Sequence, residues 1–152
     1  MPDMDRFLSG HPEGVEMTPP PALDGRHWLA ANNGTNTAFA GPWGVSFAAN
    51  LTPDADTGVL SHWSPDTFIA TLRSGRHEGR GRAILPPMPW PVYQNATDAD
   101  LRAIFAYLQT IPAVKNRVPQ PLEPSAAAEP APAPTAAPTA APTTTPTTAT
   151  QR

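Results

Sequence analysis

A loop-rich, all-α domain with few helices is the fold class this sequence predicts. Three observations carry it. Residues 97–108 combine a helix cap with an apolar stripe at helical spacing, and residues 64–75 hold a shorter capped helix. Residues 1–62 show turn formers and little regular periodicity, which reads as loops packed on something else rather than as strands or long helices.

In chain order, the first half carries four turn-forming clusters: SGHPEG at 9–14, TPPPALDG at 18–25, ANNGTNTAFAGPWG at 31–44 and NLTPDADTG at 50–58. The last looks like a calcium loop but lacks the ligand spacing and closing glutamate of one, so its predicted role is structural. The first helix is expected over Pro65–Ser74, with Ser64 as N-cap, Pro65 at the first helical position, Asp66 complementing the dipole and Gly75 stopping it. Phe68, Ile69 and Leu72 form its apolar face. The second helix opens on Thr97 with Asp100, a capping-box variant. Leu101, Ile104, Phe105 and Leu108 then fall at i, i+3, i+4 and i+7, and Pro112 closes the stretch. The loop SGRHEGRGRAILPPMPWPVYQN joins the two helices; connections this long inside a compact domain are functional or disordered, and its Pro and Trp content predicts an ordered one.

The chain of 152 residues divides into a body at 1–120 and a Pro/Ala/Thr-rich tail at 121–152, expected to be disordered and extended with polyproline-II character. A net charge of −3 argues against a general nucleic-acid binder. No run approaches the ~18 apolar residues of a membrane span, and MPDMDRFLSG shows no export signal. There is no cysteine, hence neither a disulfide nor a thiolate metal site. GxSxG and HExxH are absent, so a hydrolase has little support.

The chemistry concentrates in ILPPMPWP, residues 84–91, where Pro86, Pro87, Pro89 and Pro91 surround Met88. Proline fixes its own φ and restricts the residue before it. The segment therefore stiffens the backbone around one thioether, a soft ligand used opposite His on haem iron, with Trp90 placed to exclude water. Filling a gap in the core is the alternative role of such a methionine. His11, His27, His62 and His77 show no pair at metal-ligand spacing. The arginines of RSGRHEGRGR read equally as a contact for an acidic partner or haem propionates and as a solvated loop.

Taken together, GPWG (41–44), NLTPDADTG (50–58), WSPDTFIATLRSG (63–75), LPPMPW (85–90) and DADLRAIFAYL (98–108) resemble, in order, the later part of a bacterial class I-type cytochrome c domain over roughly residues 5–120. The resemblance implies a cytochrome c-like fold, covalently attached haem c and electron transfer rather than catalysis. A redox partner protein would be involved, with the chain as a possible subunit of a dehydrogenase or oxidase in the periplasm or envelope. By position it implies Met88 as the distal axial ligand of the iron and Tyr107 near the haem. Asn50 and Leu51 would line the pocket, with Trp90 beside the ligand. The family's C-x-x-C-H motif, which attaches haem and supplies the proximal His, has no counterpart here. The expectation is therefore a domain lacking its N-terminal haem-attachment helix, truncated upstream. The alternative is a haem-free fragment, a structural or interaction remnant of a cytochrome c.

Overall fold

A computed structural model describes residues 3–21, 23 and 27–124. The tail's expected disorder therefore falls, from residue 125 on, outside the described residues. A short 3₁₀ turn at Met4–Arg6 leads into strands β1 (Ala31–Asn32), β2 (Ala38–Gly41) and β3 (Gly44–Phe47). Helices α1 (Pro65–Ser74), α2 (Trp90–Tyr93) and α3 (Asp98–Leu108) follow, with a second 3₁₀ turn at His77–Gly79.

The all-α expectation is thus corrected. The first half contains a three-stranded antiparallel sheet in the order β1-β2-β3, with Ala38 opposite Phe47 and Gly41 opposite Gly44. The hairpin of β2 and β3 turns on Pro42–Trp43 and continues through Gly44 at φ +90°, a conformation that favours glycine. A Cβ at Gly44 would also lie 2.0 Å from the carbonyl oxygen of Leu122, which runs beside β3 and exchanges two 2.9 Å backbone bonds with Val45. These strands are four residues or shorter and built largely of Ala, Gly and Ser, so no apolar alternation marks them in the sequence.

Both main helices form where expected, because their caps are local. The Ser64 side chain accepts from the Thr67 N–H, and Gly75 ends α1 in the left-handed region. Thr97 and Asp100 complete a reciprocal capping box on α3. The apolar faces of α1 and α3 meet through Phe68, Ile69 and Leu72 on one side and Leu101, Phe105 and Leu108 on the other, joined by Leu60 and Ile111. The Phe68 and Phe105 rings pack tilted with centroids 5.5 Å apart. Burying one such aliphatic side chain contributes roughly 1.5–3 kcal/mol. The Arg102–Asp66 ion pair across the two helices, 2.5 Å, is solvent-exposed and adds little.

Two buried asparagines sew the remaining segments together. Asn116 Nδ2 donates to the carbonyls of Ser9 and His11 at 2.7 and 2.8 Å, and its Oδ1 accepts from the Glu13 N–H at 2.8 Å and from Arg6 at 3.1 Å. Asn50 donates to the carbonyls of Val114 and Asn116 and accepts from the Thr52 N–H and hydroxyl. The NLTPDADTG turn is structural, as its sequence suggests: Asp54 Oδ1 accepts from the Thr57 N–H and hydroxyl at 2.8 and 2.5 Å. Those bonds hold the Asp54 carboxyl below its ordinary range, the Thr57 hydroxyl contributing most.

Candidate functional site

The Met88 loop is tied down at both ends. At its start, the Ile84 N–H donates to the Gly75 carbonyl at 2.9 Å, and Arg76 and Ala83 form an isolated antiparallel bridge. At its centre the Ser46 hydroxyl donates to the carbonyl of Pro86, which precedes a cis Pro86–Pro87 bond. Past Met88, the Trp90 indole lies so close over Gly75 that a Cβ there would sit 2.4 Å from the ring. At its end the Arg73 guanidinium donates to the carbonyls of Gln94 and Ala96 and pairs with Asp98 at 2.6 Å, while Gln94 donates back to the Arg73 carbonyl. The long loop is therefore ordered by side chains from β3 and α1 in addition to its own prolines.

Met88 is 41 % exposed and lies outside the buried cluster, so it does not fill the core. Trp90 and Leu51 are partly buried and pack on that cluster together. Tyr107, on α3, is 57 % exposed and also outside it. Asn50 is buried with both side-chain polar atoms engaged in the bonds described above. Leu51 and Trp90 thus each pack on the core cluster, while Met88 and Tyr107 stand at the surface.

The histidines differ sharply in setting. His62 and His27 are exposed, and His77 is half-buried with its ring edge-on to Trp63 at 6.3 Å. His11 is fully buried against Phe47, with Nδ1 bonded to the Thr37 hydroxyl at 2.8 Å and Nε2 without a partner. Burial pushes both His11 and His77 below the ordinary histidine value; for His77 the Arg82 charge adds to this and Glu78 opposes it. Among the described residues, no group of three His, Asp or Glu side chains is placed to hold a metal.

A depressed histidine binds fewer protons folded than unfolded, so its contribution is present above the unfolded value near 6.5 and is lost as pH falls through the folded one. The urea midpoint should accordingly be lower at pH 5 than at pH 7.5. A His11→Gln variant should show a shallower decline, and equal slopes in both proteins would rule His11 out as a source.

No family model matches the chain. It is 33 % identical over 87 residues to a component of the nicotinate dehydrogenase of Pseudomonas putida, covering 57 % of this chain and 7 % of that protein. Over 69 residues it is 37 % identical to the gluconate 2-dehydrogenase cytochrome c subunit of Pantoea cypripedii, covering 45 % and 15 %. Over 66 residues it is 32 % identical to the cytochrome c subunit of the quinone alcohol dehydrogenase of Gluconobacter oxydans, covering 43 % and 13 %. This chain is similar to parts of cytochrome c subunits of dehydrogenases. The matches span less than a fifth of each relative's length.

Cytochrome c subunits imply haem c, and the residues present fit part of it. Met88, part-exposed on an anchored loop, carries a thioether of the soft kind that serves as an axial donor, and Trp90 on the same loop is apolar and partly buried. With no cysteine, the chain offers no thiol for covalent attachment.

Sequence reasoning missed Ser46 and Asn116, and did not single out His11 among the four histidines. Arg73 was read only within the RSGRHEGRGR cluster, as a partner or propionate contact or a solvated charge, and not as an anchor of the loop. Asn116, in AVKNRVP, sits in a stretch with no periodicity to mark it as buried.

Proposed function

We propose that this chain acts in electron transfer as part of a cytochrome c-type subunit of a dehydrogenase, with Met88 as the distal axial ligand of haem c. One observation carries the reading: Met88 presents its thioether at the surface from a loop anchored by Ser46, Arg73 and Trp90. Haem supplies the one-electron chemistry of its iron when bound. The chain's own residues orient the sulfur and, through Trp90 and Leu51, keep one side of the site apolar. Asn50 shapes that side by holding the turn that carries Leu51, and Tyr107 contributes from α3. The electron would pass to or from a catalytic partner subunit in the periplasm or envelope. Among the described residues no helix is long and apolar enough to cross a membrane.

The test supplies the missing attachment in trans. A short haem-peptide carrying C-x-x-C-H is mixed with the full chain and followed spectroscopically. The wild type should give low-spin, six-coordinate iron with the long-wavelength sulfur-to-iron charge-transfer band, and Met88→Ala should not. Met88→His should keep six-coordination and lower the potential, within the roughly 0.8 V over which axial ligands act. Identical spectra for wild type and Met88→Ala would remove the ligand assignment.

A second reading is a haem-free interaction module, held by the α1–α3 core and the Asn50–Asn116 network. It requires the haem-peptide to leave both the spectrum and the thermal midpoint unmoved.

A further inference from the structure

A concave region opens beside the first part of the loop that carries Met88, which contributes His77 and Arg82 to its lining. It is a cleft of about 510 Å³ bounded by β3, the NLTPDADTG turn, the His77–Arg82 segment and residues 117–121. Phe47, Ala49 and Val59 contribute apolar lining, and the exposed Arg82 and Arg117 line it as well. Neither guanidinium has an ion pair or hydrogen bond to another described side chain.

Two carboxylates also line the cleft, each with a polar partner on residues 115–117. Glu13 Oε2 accepts from the Arg117 N–H at 3.1 Å, and Asp56 pairs with Lys115 at 3.5 Å. His77, the remaining titratable group of the lining, is held toward its neutral form. Partial burial also pushes the Arg82 guanidinium below its ordinary value, consistent with a cation lacking a counter-charge. Two planar, always protonated groups in one cleft with apolar lining are suited to an amphiphilic anion: a guanidinium fork takes a carboxylate in bidentate fashion, and the apolar lining takes the carbon body.

We propose that this cleft is a carboxylate-binding site, with Arg82 and Arg117 as its anion-binding residues and Phe47, Ala49 and Val59 receiving the apolar part of the ligand. The carboxylate can come from two sources, a porphyrin propionate or a small organic acid. The porphyrin source rests on the electron-transfer reading above, and the small-acid source does not.

Iron-free protoporphyrin IX, its dimethyl ester and succinate are titrated separately into the full chain and into an Arg82→Gln/Arg117→Gln variant. Binding is followed by porphyrin fluorescence and by calorimetry. Both arginines are solvent-exposed, and circular dichroism checks that the variant is folded. A porphyrin source predicts that the free acid binds at least tenfold more tightly than the ester to the wild type, and that the variant loses this discrimination. A small-acid source predicts succinate binding that the variant abolishes. Equal binding of acid and ester by the wild type, with no succinate binding, overturns the proposal without reference to any variant. So does discrimination or succinate binding that the variant retains in full. The porphyrin carries no iron, so these outcomes are independent of Met88 ligation. Loss of the sulfur-to-iron band would sink the ligand assignment and leave the carboxylate site standing.

Discussion

Replacing Asn116 with alanine is expected to destabilise the protein by about 3–5 kcal/mol, the range for breaking a buried hydrogen-bond network. The residue is 1 % exposed and bonds to four different residues through its side chain. Truncation leaves the carbonyls of Ser9 and His11 unpaired at a buried site and the Glu13 N–H unpaired at a part-buried one. Each orphaned group costs about 1–3 kcal/mol, less whatever relaxation or entering water recovers. The effect should spread beyond position 116, because the Asn116 backbone also donates to Thr57 and accepts from Asn50. Urea unfolding followed by tryptophan fluorescence measures the loss. A loss under about 1 kcal/mol would mean that water replaces the side chain and that the N- and C-terminal segments are not held through it.

Gly75→Ala should cost about 2–4 kcal/mol, from two separable sources. The first is backbone: φ is +65° here, and an L-residue in the left-handed region costs roughly 1–2 kcal/mol. The second is steric, since the new Cβ would lie 2.4 Å from the Trp90 ring and drive it off the core. Gly14→Ala is the matched control. Its φ is +76° with nothing within 4 Å of an added Cβ, so it carries the backbone cost alone. The difference between the two variants measures what the Trp90 contact contributes. Gly75→Ala should also weaken the sulfur-to-iron band in the haem-peptide mixture, because Trp90 lies two residues beyond Met88 on the same loop. Equal losses in the two variants would separate Trp90 from the anchoring of that loop.

Both variants act at places where distant segments meet, and the same distinction governs what could be read from the chain. The boundaries of α1 and the cap of α3 follow from Ser64, Gly75, Thr97 and Asp100, whose hydrogen bonds reach three or four residues along the chain. The stiffness around Met88 is legible for the same reason: proline acts on its own and the preceding residue. The sheet was not legible. Its strands owe their existence to pairing across the hairpin and to the passage of Leu122 beside Val45, contacts that short Ala- and Gly-rich segments do not announce. Nor was Arg73 legible as the clamp of the Met88 loop, because its partners lie more than twenty positions away.

By itself, then, the sequence determined two capped amphipathic helices, one conformationally restricted methionine, and the absence of any thiol for haem attachment. Only the tertiary structure decided that Met88 stands at the surface instead of filling the core. It also decided that His11 and not another histidine is buried, and that Arg82 and Arg117 share one cleft. Caps and prolines act through covalent neighbours, whereas burial and charge pairing depend on which remote segments the chain brings together.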